Sequence, residues 1–256
     1  MKLFSILNKA FKQHSRRSMD VIGYIAFLIA VTVRLFKLMM EPLLLRDSAL
    51  YLKSAEIWNE TGEYSEIIKV PPLPLWCIKT LMSFCGDAEL SGRTLSIILG
   101  GIICVTGFYL AKEIYNNIWI SIFAAACLIF HPKLVFYSTQ PLRENYFILL
   151  TEWVLIVMVN NFRTPKLSGW FICGAFIGTA IFCRLESLEF IVIIIAEIVF
   201  LYLNNKNKVL FFSSVFFLFF GLILFLYLLL LLCAHGDYSF MHKGPSISWS
   251  YLLMDS

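Results

Sequence analysis

Residues 94–111 read TLSIILGGIICVTGFYLA, eighteen consecutive positions without a charged side chain. At 1.5 Å per residue a helix of that length crosses most of the roughly 30 Å hydrocarbon core of a bilayer, and a helix satisfies its own backbone polar groups there. Outward from this run the pattern repeats, with further apolar runs at residues 21–38, 118–136, 146–159, 169–183, 188–203 and 209–233. The sequence therefore predicts an all-α, polytopic transmembrane bundle of about seven helices. Composition agrees: 59% hydrophobic, 15% charged and a mean hydropathy of +0.79 exceed what a soluble core of 256 residues needs.

Several function classes fall away on composition. The net charge is only +4, and the basic residues form no aromatic-interleaved stripe, so no nucleic-acid partner is expected. The seven cysteines are scattered through apolar runs without a C-x-x-C pair and read as small buried hydrophobes. Four histidines, His14, His131, His235 and His242, share no ligand spacing, which leaves a His/Cys metal centre without support. No organic cofactor is called for; a divalent ion held by carboxylates stays open.

Topology follows from charge. Lys2, Lys9, Lys12, Arg16 and Arg17 precede an apolar run too long for a signal-peptide core, so an uncleaved signal-anchor is expected, with residues 1–20 cytoplasmic. The basic turns at Lys112, 163–166 and 206–208 then fall on the cytoplasmic side, as the positive-inside rule requires. Residues 41–93 become an extracytoplasmic first loop, 94–233 the remaining helices and 234–256 an extracytoplasmic tail. One membrane domain spans 1–256, placed in the plasma or inner membrane.

The first loop is unusually polar and aromatic for so greasy a chain, and such a loop commonly touches a substrate. Residues 48–61 have helical composition, with Leu50, Tyr51, Ala55 and Trp58 on one face and Gly62 as the stop, predicting an amphipathic helix on the membrane surface. Residues 73–85 open at Pro71, Pro72 and Pro74 and are too short to span, so they predict a half-length or interfacial helix. The prolines would fix Lys69 at its mouth, to meet an anion or to snorkel toward headgroups. Tyr51, Trp58, Tyr64 and Trp76 either line a sugar pocket or form an interfacial belt.

Charges near the same membrane face carry two readings each. Asp47 is an N-cap, or a general base or metal ligand. Glu144, after Arg143, is favoured by the helix dipole in a first turn, or it is a second acid facing the cavity of Asp47. Arg184 and Glu186 pair with each other, or they bring a cation and an anion to that cavity. Glu152 and Glu197 fall within spans, where an ionised carboxylate costs about 2.5–3.5 kcal/mol, and should face protein or water.

In order and spacing, Arg46-Asp47-Ser48-Ala49-Leu50-Tyr51-Leu52 with Ala55, Gly62-Glu63-Tyr64, Lys69, Pro71-Pro72-Leu73, Leu90-Ser91-Gly92-Arg93, Pro132 through Arg143-Glu144, and Cys183-Arg184-Leu185-Glu186 form a connected pattern. The chain over roughly 34–203 resembles the N-terminal module of the GT-C membrane glycosyltransferases. The nearest likeness is to glycosyltransferase family 39, the protein O-mannosyltransferases and lipid A aminoarabinose transferases. The resemblance implies a polyprenyl-phosphate sugar donor, a lipid, glycan or protein acceptor, and inverting transfer on the extracytoplasmic face. It implies Asp47 and Glu144 as catalytic acids, Lys69, Arg143 and Arg184 as donor-phosphate ligands, and Tyr51, Tyr64 and Glu186 as pocket residues. Any metal would sit on Asp47. Family members often carry two adjacent acids where this chain has Asp47 followed by Ser48, and they usually continue with further helices. A transporter or flippase, or a noncatalytic GT-C-like membrane protein, are the alternatives on sequence alone.

Overall fold

The computed structural model describes residues 2–62, 70–164, 166–184, 187, 189–195, 213, 216–218 and 220–226, with side chains described from residue 20 onward. Its elements are α1 (Lys2–Met40), α2 (Arg46–Thr61), α3 (Pro72–Cys85), α4 (Ala88–Tyr115), α5 (Ile118–Phe130), α6 (Pro132–Ser138), α7 (Arg143–Arg163) and α8 (Leu167–Ile181). No strand occurs among the described residues. The chain is an all-α membrane bundle. Among the described residues three helices are long and apolar enough to cross a bilayer, Asp20–Met40 within α1, Ala88–Tyr115 and Arg143–Arg163, and a fourth span arises if α5 and α6 count together. α8 and Phe216–Leu226 are apolar but shorter. Of the predicted spans at 188–203 and 209–233, only helical pieces lie within the described residues.

Several expectations shift in detail. The span expected over 118–136 is bent by 61° between α5 and α6. Pro132 lacks an amide N–H and its ring disfavours the helical region for His131, which takes φ −65° and ψ 115°; the His131 Nδ1 then accepts from the Leu134 amide at 3.4 Å and starts α6 anew. α4 begins at Ala88, six residues before the apolar run, because Asp87 caps it by accepting from the Leu90 amide at 2.5 Å. The first loop is therefore largely helical. α3 matches the short helix expected over 73–85, and α2 ends as predicted on Gly62, left-handed at φ 73°. The buried stripe of α2 runs through Ser48, Tyr51, Leu52 and Ala55, whereas Leu50 is exposed. At 100° per residue Leu50 falls off the stripe that 48, 51, 55 and 58 define.

α4 is the hub, packing against α1, α3, α5 and α7. It does so through glycines that let neighbours approach its backbone. A Cβ on Gly101 would lie 2.7 Å from Phe27 of α1, one on Gly107 would lie 2.1 Å from Leu128 of α5, and one on Gly92 would lie 2.7 Å from Leu52 of α2 and 2.9 Å from Pro141. Away from α2, polar ties hold the helices in register: Tyr109 of α4 donates to Asp20 of α1 at 3.3 Å, and Arg163 of α7 pairs with Glu113 of α4 at 3.5 Å. A second core of Val154, Trp170, Cys173, Ile177, Ile181, Ile194 and Phe216 joins α7 and α8 to the later helices.

The Gly92 contact meets a proline ring that cannot turn away and the tip of the buried Leu52. Gly92→Ala is expected to lose about 1–3 kcal/mol through overpacking, visible as a lower unfolding temperature in detergent together with looser protection of α2.

Candidate active site at the α2, α4 and α7 junction

α1 stops where α4 and α7 start, so the 41–45 segment, the start of α4 and the start of α7 meet at one end of the bundle. Their meeting is fixed by hydrogen bonds to backbone. Gln140, buried just ahead of α7, donates Nε2–H to the Leu43 carbonyl and accepts from the Leu45 amide through Oε1, both at 3.0 Å. Asn145 of α7 donates to the Tyr137 carbonyl at 2.9 Å and closes the 137–145 bend. Arg93 of α4, also buried, donates to the Pro42 carbonyl and, through Nε, to Glu89 Oε1 at 2.7 Å. A chain leaving a membrane helix must satisfy its exposed carbonyls and amides, and here side chains of α4 and the α6–α7 bend do so.

Within that frame Asp47 lies in the first turn of α2 and is exposed. It is not the N-cap; that position is Leu45, which makes no side-chain cap bond, so the helix dipole is what favours the carboxylate. One turn on, Tyr51 is buried at 6% exposure. Burial holds its hydroxyl well above the ordinary phenol range, Arg143 acts against that shift, and Glu144, Cys183 and Asp47 add to it. The electrostatic reach of Tyr51 thus covers Asp47, Arg143 and Glu144, drawn from α2 and α7. Arg143 Nε stands 3.8 Å from Glu144 Oε1, both side chains partly exposed, while Glu144 Oε2 is buried and makes no hydrogen bond among the described residues. Ser48 Oγ on α2 is in the same condition. An acceptor and a hydroxyl buried without partners are what a site awaiting a polar ligand would carry.

Arg184 follows α8 with its guanidinium 5.5 Å over the Phe147 ring of α7. The Leu73 amide of α3 donates to the Phe182 carbonyl at 3.3 Å, so the first turn of α3 docks beside Arg184. Lys69, Tyr64 and Glu186 lie outside the described residues, as does Glu197. Trp76 is 55% exposed on α3, while Lys79 lies 4.9 Å over the Trp58 ring and donates to the Trp58 carbonyl, joining α3 to α2. An apolar cleft of about 440 Å³ opens next to the clamped segment, between residues 40–45 and Phe136. Among the described residues no three His, Cys, Asp or Glu side chains gather as metal ligands.

Gln140, Arg93 and Asn145 were not among the sequence-derived candidates. Arg93 with Glu89 at i, i+4 carries a helical-pair signal once α4 is known to start early, whereas nothing local marks Gln140 as a clamp for a segment 95 residues away.

These features define a class: a helical membrane protein with a charged, partly buried polar site at one end of its spans. The family model described as Dolichyl-phosphate-mannose-protein mannosyltransferase matches residues 69–232, more than half of the chain, and the chain belongs to that family. It is a membrane glycosyltransferase of the GT-C type. The matched stretch contains Lys69, Arg143, Glu144, Arg184 and Glu186; Asp47, Tyr51 and Tyr64 precede it. No curated protein and no solved structure matches the chain.

Replacing Gln140 by Leu would leave the Leu43 carbonyl and the Leu45 amide without their partner. It is expected to cost about 1–3 kcal/mol and to speed hydrogen exchange at residues 41–50, read by mass spectrometry in nanodiscs.

Proposed function

We propose that this protein transfers a sugar from a polyprenyl-phosphate-linked donor to a hydroxyl of a lipid, glycan or protein acceptor, with inversion at the anomeric carbon. In this reading 1–256 acts as a single GT-C-like membrane domain, with its N-terminus cytoplasmic and the reaction on the extracytoplasmic face of the plasma or inner membrane. The observation that supports it is the Arg143–Glu144 pair at the start of α7, with Glu144 Oε2 and, on α2, Ser48 Oγ both buried and without a hydrogen-bond partner among the described residues.

The chemistry suits that set. The acceptor oxygen attacks the anomeric carbon while its proton passes to the Asp47 carboxylate, the more exposed of the two acids and the one with room for an incoming group. The bond from that carbon to the phosphate oxygen breaks, and the polyprenyl phosphate departs with the bonding pair. Cations neutralise the developing phosphate charge: Arg143 from α7, Arg184 from beyond α8, and Lys69 as the resemblance implies. Glu144, paired with Arg143 on one oxygen and without a partner on the other among the described residues, is suited to accept from a sugar hydroxyl. Tyr51 and Ser48 would offer hydroxyls to the sugar, with Tyr64 and Glu186 completing the pocket by resemblance. The apolar cleft at residues 40–45 suits the first isoprene units of the donor. A divalent ion, if used, would rest on Asp47 and supply Lewis acidity toward the phosphate.

Mass spectrometry of copurified lipid identifies the donor, and transfer is then assayed in reconstituted membranes. Asp47→Asn is expected to lower turnover by about 10²–10⁴-fold with the protein still inserted and folded; full activity would remove Asp47 from the mechanism. Activity that required sealed compartments would instead indicate transport. Because burial raises the Tyr51 pKa, its hydroxyl stays protonated throughout the working range. Tyr51→Phe is therefore expected to weaken sugar binding without moving the alkaline limb of the pH–rate profile.

A further inference from the structure

Arg34 lies inside the first span and is completely buried. A guanidinium there is costly unless its donors are satisfied and its charge is balanced. Nη1 donates to the Ala30 carbonyl at 3.0 Å and Nη2 to Cys104 Sγ of α4 at 3.4 Å, while Nε makes no hydrogen bond among the described residues. A Cβ on Gly100 would lie 2.4 Å from Arg34 Nε and 2.2 Å from Ser138 Oγ, so the guanidinium and the last residue of α6 press on the same bare patch of α4 backbone. On α7, the buried Glu152 accepts from Thr106 of α4.

The chain from Ser138 leads in two residues to Gln140, and Gln140 holds Leu43 and Leu45, two residues short of Asp47. Arg34 is thus held to its own helix and to α4, and it shares the Gly100 seat with the end of α6, the element that leads into the clamp. We propose that Arg34 is a positioning residue of the transferase: seated with Ser138 against the bare backbone of Gly100, it sets the end of α6 against α1. Through Gln140 it thereby sets where Asp47 stands relative to Arg143 and Glu144. Its catalytic consequence rests on the function proposed above; its structural consequence does not.

The test pairs hydrogen exchange in nanodiscs with consumption of dolichyl-phosphate mannose by the same preparations. Arg34→Gln is expected to raise exchange across residues 41–50 to the level of Gln140→Leu, with residues 156–163 unchanged. Turnover should fall by about 10²-fold, as for a reacting group displaced by about 1 Å, with KM for the donor nearly constant. Arg34→Lys, which keeps the charge, should recover part of both. If Arg34→Gln does not fold, Gly100→Ala decides, since it keeps the charge and drives Ser138 and the guanidinium from their seat. Wild-type exchange at 41–50 in a folded Arg34→Gln or Gly100→Ala protein overturns the proposal, as does a uniform rise over the whole bundle. Absence of consumption of dolichyl-phosphate mannose and of the copurified lipid donor alike by the wild type, with the exchange changes present, would count against the transfer reading alone.

Discussion

The amide of Gln140 grips the chain from both sides of one peptide step, donating to the Leu43 carbonyl and accepting from the Leu45 amide. Everything at that end of the bundle depends on it. A segment leaving a transmembrane helix has backbone groups that neither lipid nor its own helix can satisfy, and a loop that cannot satisfy them will not hold one conformation. With Arg93 on the Pro42 carbonyl and Gln140 on the next residues, the 41–45 segment has a defined path, and α2 starts from a defined point. Asp47 inherits its location from that path.

The same logic governs the spans. Between helices in lipid the hydrophobic effect gives little, so approach distance matters most, and α4 meets that demand with glycines set against α1, α2 and α5. Charged groups inside the bundle are then tolerable only where close packing brings partners to them. Glu152 finds Thr106, and Arg34 finds a helix carbonyl and a thiol.

Long-period information was legible in the sequence, because an apolar run of spanning length admits few structures; hence the all-α bundle, the short helix after the prolines and the Gly62 stop. The polar end of α4 was not legible, since Asp87, Glu89 and Arg93 look like loop residues until the Asp87 cap is seen to start the helix early. The break at Pro132 was written in the proline itself but hidden by the hydrophobicity on both sides. Asp47, Arg143 and Glu144 could be placed on one side of the membrane from topology, but that all three act electrostatically on the buried Tyr51 hydroxyl needed the fold. Gln140 and Arg34 show the limit most clearly: their types are visible, while their partners lie 95 and 70 residues distant along the chain.

Lys79 engages Trp58 twice, its ammonium over the ring and its N–H on the carbonyl, and a shared apolar core of Leu52, Ala55, Leu75 and Ile78 backs that contact. α2 and α3 therefore behave as one plate. The plate is pinned at its α3 edge by the bond from Leu73 to Phe182, and at its α2 edge by the turn after Leu45. Displacement of the chain beside Arg184 would tilt the plate about these two pins, so Asp47 is geared to a segment far from it in sequence.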